Sequence, residues 1–119
     1  MLVFWLMVLA HLVADYTLQG WLANGKQRKW WSEQVPELDK TKYKNDYRCA
    51  LVCHSLYWSI LVCLPLYWSP WFSAYVIVNS IVHYVVDDLK ANKFKLNLIE
   101  DQIFHFIQII ITFLIALFF

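Results

Sequence analysis

Histidine and aspartate recur at a spacing of four residues along this chain, and this spacing is its clearest indication of chemistry. Residues four apart lie on one face of an α-helix, so each pair would present an imidazole beside a carboxylate. These two groups are common ligands of divalent transition metals. The pairs are His11 with Asp15, His83 with Asp87, and Asp101 with His105, while the remaining histidine, His54, has no such partner.

Long apolar stretches carry these residues. The chain has 119 residues, of which 61% are hydrophobic and 18% aromatic, more than a soluble domain of this size would bury. A helix needs about 20 apolar residues to cross a bilayer. We therefore predict one domain over residues 1–119 with an all-α fold, an integral membrane antiparallel four-helix bundle. The predicted helices cover about residues 2–19, 49–69, 71–90 and 99–119.

The basic residues predict the orientation of these helices. All ten Lys and Arg residues lie in or at the edge of two connections, residues 20–48 and residues 91–97. Positively charged connections stay on the cytoplasmic side of a membrane. We therefore expect a multi-pass protein of the inner (cytoplasmic) membrane with both termini extracytoplasmic. Trp30, Trp31 and Tyr43 indicate that the basic loop at residues 20–48 lies on the interface.

This orientation predicts a common depth for the polar residues. Each histidine would lie within roughly 10–15 Å of the cytoplasmic surface, at a rise of about 1.5 Å per residue. The outer half of each helix is almost purely apolar and aromatic. Ionisable residues inside a membrane are costly and indicate a functional site.

Seven residues are candidate metal ligands. A catalytic zinc site takes three protein ligands and a water, and two-metal sites share bridging ligands. Seven ligands therefore suit two ions, or one ion with further aspartates that orient the imidazoles. We predict a divalent transition metal, with zinc as the best match, in one or two ions. The candidate ligands are His11, Asp15, His54, His83, Asp87, Asp101 and His105.

A metal site at this depth suits an amphiphilic substrate. The favoured prediction is a metal-dependent hydrolase of a lipid-linked or amphiphilic ester or phosphoester, with Asp15 or Asp87 as general base. Lys90, helped by Gln19 and Gln102, would hold an anionic group. Two alternatives use the same residues: a proton or metal-ion transporter or channel, and a small regulatory membrane protein with a structural metal or hydrogen-bond cluster. The apolar outer half favours the enzyme over the transporter.

The expected partners follow from the same features. Membrane lipids and an amphiphilic anionic substrate are the predicted small-molecule partners. The sequence leaves open a homo-oligomer or a membrane-protein partner. A formal net charge of +1 gives no indication of nucleic-acid binding, so no nucleic acid is expected.

Four ordered motifs resemble those of an uncharacterised family of small bacterial and phage integral-membrane proteins, a domain of unknown function. The matches are residues 11–19 with HLLADF-x-LQ, His54 with a lone second-helix histidine, His83, Asp87 and Lys90 with H-x-x-x-D-x-x-K, and Asp101, Gln102 and His105 with D-Q-x-x-H. The resemblance implies a membrane protein with a shared polar site and implies no activity. The pattern is also similar, more loosely, to that of membrane-bound metal-dependent hydrolases. The basic loop from Lys26 to Arg48 is longer than the family pattern needs.

Overall fold

The chain is all-helical in a computed structural model that describes residues 1–34 and 41–119, with no strand in those ranges. A π-helical turn, Ala14–Leu18, continues the first α-helix, and a 3-10 turn, Leu64–Leu66, continues the fourth. Within the described ranges the α-helices are α1 (Leu2–Val13), α2 (Leu22–Gly25), α3 (Arg28–Gln34), α4 (Asp46–Cys63), α5 (Phe72–Ala91) and α6 (Leu98–Phe118).

The four long helices pack around one interior. Helix α1 contacts α4 and α6, and α5 contacts the same two helices from the other side. One end of this interior is apolar and aromatic, and it includes Met7, Trp58, Val62, Tyr75 and Ile109. The other end is polar, and it holds the histidines and aspartates described below.

Local sequence explains where two of these helices begin or end. Helix α4 stops at Cys63 instead of continuing to residue 69 as predicted, because Pro65 has no N–H to continue the helical ladder. Helix α6 begins with a capping box. The Asn97 side chain accepts from the Glu100 N–H at 2.9 Å, and the Glu100 carboxylate accepts from the Asn97 N–H at 2.9 Å.

The segment predicted as a basic interfacial loop, residues 20–48, contains the helices α2 and α3. Gly20 has φ +50°, a left-handed conformation that glycine adopts without steric penalty, and there the chain turns so that α2 folds back against α4. The Asn92 amide fastens this segment to the end of α5. Its Nδ2 donates to the Lys26 carbonyl at 3.0 Å, and its Oδ1 accepts from the Arg28 N–H at 2.6 Å. Lys40 and the rest of residues 35–40 lie outside the described residues.

Within residues 1–34 and 41–119, two helical stretches are long and apolar enough to cross a membrane, Asp46–Leu66 and Leu98–Phe118. The stretch Leu2–Leu18 is apolar but shorter. Helix α5 has the length of a membrane helix, 20 residues, but its polar and charged side chains lower its mean hydropathy.

Candidate metal centre

The four histidines occupy the polar end of the interior, and each comes from a different long helix. His11 of α1, His54 of α4, His83 of α5 and His105 of α6 are all 0% exposed. The three aspartates named above lie among them and are also buried. The arrangement is therefore a single buried cluster to which all four long helices contribute.

Aromatic packing holds the imidazoles in place. The His83 ring stacks on Trp58 with centroids 4.1 Å apart and on His105 with centroids 4.2 Å apart, and the Trp58 and His105 rings are themselves 5.5 Å apart. The Trp58 indole also donates from Nε1 to Nδ1 of His11 at 3.1 Å. One tryptophan thus positions the histidines of α1 and α5.

The structure brings each pair of four-residue spacing into contact. The nearest nitrogen–oxygen distances are 3.4 Å for His11 and Asp15, 3.7 Å for His83 and Asp87, and 3.4 Å for His105 and Asp101.

His54, which lacks a partner in sequence, lies between two carboxylates from other elements. Its Nε2 is 3.4 Å from Oδ1 of Asp15 and 3.3 Å from Oδ2 of Asp87. The Asp87 carboxylate also lies 3.3 Å from Nε2 of His105 through its other oxygen. Asp87 therefore connects the imidazoles of α4, α5 and α6.

These separations fit ligands of a shared metal better than hydrogen bonds. N–H···O bonds have donor–acceptor distances of about 2.7–3.2 Å, shorter than the contacts given above. Two ligands at about 2.1 Å from a tetrahedral ion lie about 3.4 Å apart. Neither ring nitrogen of His54, His83 or His105 has a hydrogen-bond partner among the described residues. Buried nitrogens of this kind call for a partner, which a metal ion would be.

Two overlapping groups of residues could each hold an ion. One consists of Asp15, His54 and His83, and the other of His83, Asp87 and His105. Within each group the candidate ligand atoms lie within 4.8 Å of one another. His83 belongs to both groups, so it could be a ligand whether the site holds one ion or two.

Two of the seven predicted ligands lie outside these groups. His11 uses Nδ1 to accept from Trp58, which leaves Nε2 as its free nitrogen. Asp101 accepts through Oδ2 from Lys90 at 2.7 Å and from Gln102 at 3.1 Å. Both residues contact the cluster, and each keeps a buried atom without a hydrogen-bond partner among the described residues, Nε2 of His11 and Oδ1 of Asp101.

Lys26 is a member of the cluster that sequence reasoning assigned to the interfacial loop. Its Nζ donates to Oδ2 of Asp87 at 2.6 Å, and the residue is only 9% exposed. With neutral histidines, the three aspartates carry three negative charges against two positive charges from Lys26 and Lys90. One negative charge remains in a buried setting, and a bound cation or a protonated imidazole would balance it.

The π-helical turn has a direct bearing on the site because it carries Asp15. Such turns replace a regular helical turn and are frequent at functional sites. The Tyr57 hydroxyl donates to the Ala14 carbonyl at the start of the turn, and Gln19 Nε2 donates to the Asp15 carbonyl. These bonds satisfy backbone groups of the turn, so Gln19 is engaged with backbone where we had expected it to help hold an anion.

Trp58 and Lys26 are the two residues that sequence reasoning missed. Trp58 had a signal: it follows His54 by one helical turn and lies in the middle of its segment, away from the interfaces where tryptophan usually collects. No feature of the sequence indicated that Lys26 joins the cluster, because its position depends on how α2 folds back against α4. Asp88 bonds outside the cluster: its carboxylate accepts from Asn92 Nδ2 at 2.9 Å and lies 3.2 Å from the Lys93 ammonium group.

Comparison with known proteins identifies a family to which the chain is similar, and that family has no assigned function. The profile of a family described as a protein of unknown function (DUF3307) matches residues 3–118, which include every residue of the cluster. No curated protein and no solved structure matches the chain.

Proposed function

The chain belongs to the DUF3307 family of proteins of unknown function, and we propose that it is a membrane-embedded, metal-dependent hydrolase of an amphiphilic ester or phosphoester. The observation that supports this proposal is the buried cluster of imidazoles and carboxylates from four helices. Their nitrogen and oxygen atoms are about as far apart as two ligands of one metal ion. The predicted ion is a divalent transition metal, with zinc as the best match to nitrogen and oxygen ligands.

The distribution of burial supports the membrane placement. Among the described residues, more polar than apolar side chains are buried, while large apolar side chains cover the outside. Examples from each long helix are Leu9, Ile60, Ile81 and Ile111, which are 42–61% exposed. Soluble proteins rarely expose apolar surface on this scale. We infer an antiparallel four-helix membrane bundle in the inner membrane, with both termini outside and the cluster near the cytoplasmic face.

The contacts support separate roles for the two candidate general bases. Asp87 is 2% exposed, and its oxygens already face Lys26 and three imidazoles, which suits a metal ligand. Asp15 is less buried, at 9% exposed, and its Oδ1 has no hydrogen-bond partner among the described residues. Asp15 is therefore the better candidate to take a proton from water, and His54 at 3.4 Å could pass that proton on.

A bound ion would polarise the scissile group and bring the pKa of a coordinated water close to neutral. The chain's own residues would exclude bulk water, since the histidines are fully buried, and would orient the substrate. Lys90 remains the candidate for steadying an anionic head group, because its side chain is 31% exposed. An anion bound there would compete with Asp101 for the ammonium group.

A second candidate function is supported by the continuity of the cluster. Asp15, His54, Asp87, His105 and Asp101 form a chain in which successive groups are 3.3–3.4 Å apart. Such a chain of titratable groups suits proton or metal-ion passage. It would need to continue through the apolar end of the interior, where the core residues listed above lie.

Metal content and turnover together test the proposal. Purified protein should retain about one or two divalent ions per chain, and chelation should remove them together with hydrolysis of a panel of lipid-linked phosphates and esters. His83→Ala should abolish both, whereas Lys29→Ala, at an exposed position, should leave both intact. Metal without turnover would indicate a structural site, and His-dependent flux in liposomes without turnover would favour the transporter.

A further inference from the structure

The two oxygens of the Asp87 carboxylate face different partners. Oδ1 lies 3.3 Å from Nε2 of His105 and 3.7 Å from Nε2 of His83. Oδ2 lies 2.6 Å from the Lys26 ammonium group and 3.3 Å from Nε2 of His54. The carboxylate therefore presents one oxygen to two imidazoles and the other to a side of the cluster that already holds a positive charge.

The Oδ1 side of Asp87 has the composition of a complete site for one ion. Asp87, His83 and His105 form one of the two candidate groups, and Oδ1 is the oxygen that both imidazoles approach. Both contacts are close to the separation of about 3.4 Å between two ligands of one tetrahedral ion. A catalytic zinc takes three protein ligands and a water, so this group needs no further residue.

The other candidate group depends on the same imidazole. It consists of Asp15, His54 and His83. A neutral imidazole has one nitrogen lone pair for an ion, because its other nitrogen carries the proton. Once His83 gives that lone pair to the first ion, the second group keeps only Asp15 and His54, which lie 3.4 Å apart. The nearest oxygen that could complete a second site around His54 is Oδ2 of Asp87, at 3.3 Å.

Lys26 occupies that oxygen. Its Nζ donates to Oδ2 of Asp87 at 2.6 Å, and its side chain is 11% exposed, so water screens its charge poorly. In a two-metal site a shared carboxylate would place one ion on each of its oxygens. An ion on Oδ2 would have to displace the ammonium group or approach it against the repulsion of like charges.

We propose that the cluster holds one divalent ion and that the Lys26 ammonium group takes the place of a second. The ligands of the ion are His83, Asp87 and His105. His54 then positions Asp15 and Asp87 without binding the ion, and Asp15 stays available as the general base. This inference rests on the metal site of the proposed function and assigns its ligands and the number of its ions.

Counting ions in matched variants tests the proposal. Full-length protein in detergent is loaded with Zn²⁺ and freed of unbound ion, and its zinc-to-protein ratio is measured. The native chain should hold about one ion, and Lys26→Met about two, because Oδ2 of Asp87 becomes free to bind the second ion. Lys90→Met removes an ammonium group from a similar pair, 2.7 Å from Asp101, which lies outside both candidate groups. This control should not hold a second ion.

Further variants locate the second ion and keep the test valid if Lys26→Met does not fold. Lys26→Gln keeps a hydrogen-bond donor toward Asp87 without its charge and should also hold about two ions, whereas Lys26→Arg should hold about one. Adding Asp15→Asn to either two-ion variant should return the ratio to about one, because the second ion loses a carboxylate ligand. With Co²⁺ as the loaded ion, the two-ion variants should give the electron paramagnetic resonance spectrum of a spin-coupled pair about 3.5–4 Å apart. The native chain should give the spectrum of an isolated ion.

The outcomes separate this inference from the proposed function. A native chain that holds two ions, or folded Lys26 variants without the charge that still hold one, would overturn the single-ion assignment even if the protein hydrolyses its substrate. The expected ratios in a protein that turns over no ester or phosphoester would support the assignment and overturn the hydrolase. A native chain that binds no metal would overturn both.

Discussion

The ammonium group of Lys26 lies 2.6 Å from the carboxylate of Asp87, although the two residues are 61 positions apart in the chain. Their side chains are 11% and 3% exposed, so the pair is withdrawn from water. The contact joins the segment that follows the first helix to the centre of the histidine cluster. Lys26 is therefore the positively charged residue that most directly balances the negative charge of Asp87.

Replacing Lys26 should therefore destabilise the protein. Lys26→Met would leave the Asp87 charge buried without its partner, and loss of one member of a buried pair lowers the free energy of unfolding by about 3–5 kcal/mol. Thermal unfolding in detergent measures the change. Added divalent cation should recover part of the loss, because an ion at Asp87 would replace the missing charge.

The matched control is Lys29→Met. Its pair with Glu33 is long, at 3.4 Å, and exposed, so its removal should change stability little. Equal effects of the two substitutions would show that Lys26 acts only through the net charge of the loop.

His83 should determine metal stoichiometry more strongly than its neighbours. It is shared by both candidate ligand groups, whereas His54 and His105 belong to one group each. His83→Gln should therefore lower the metal-to-protein ratio most, and His54→Gln and His105→Gln should each lower it by a smaller amount. Elemental analysis of purified variants gives the ratio. Lys90→Ala should lower it least, and an undiminished ratio in His83→Gln would place the ion elsewhere.

Trp58 should report on events at His83. The two rings stack at 4.1 Å, so a change in the charge of the imidazole would alter the indole emission. Addition of zinc to metal-free protein should change tryptophan fluorescence in the native chain. The response should disappear in Trp58→Phe and persist in Trp5→Phe, since Trp5 is 60% exposed. A response that survives in Trp58→Phe would have another origin.

The orientation of the chain can be tested independently of its chemistry. Both termini should be accessible from outside the cytoplasm, because the basic residues lie in the connections at residues 20–48 and 91–97. Cysteine labelling of terminal tags in intact cells measures this, with a tag inserted beside Lys42 as the protected control. Labelling of the inner tag alone would reverse the orientation and place the cluster near the outer surface.

The long helices and the His–Asp pairs could be predicted from the sequence, because both depend on residues that are close together in the chain. Four-residue spacing brings each imidazole to its carboxylate whatever the tertiary structure, and a long apolar run predicts a helix within a few residues. The predicted end of α4, residue 69, was wrong, because the α-helix ends at Cys63. The prediction followed the run of apolar residues and overlooked Pro65, which has no N–H to donate. Among the residues that the structure describes, two stretches pass as membrane-spanning by length and composition, so the four-helix membrane bundle stays a prediction.

The contacts between helices could not be predicted in the same way. That His54 faces Asp15 and Asp87, that Trp58 lies against His83, and that Lys90 binds Asp101 all depend on the rotation of each helix about its axis. The π-helical turn under Asp15 has no sequence signature that we could have used.

Because each histidine belongs to a different helix, the cluster imposes an order on biosynthesis. A nascent chain that has made α1, α4 and α5 contains Asp15 and Asp87 but lacks the imidazole of α6. Only when the ribosome has released residues 98–118 can His105 close the cluster. A product truncated before α6 would therefore keep Asp87 beside Lys26 and His54 but would lack its contact with His105.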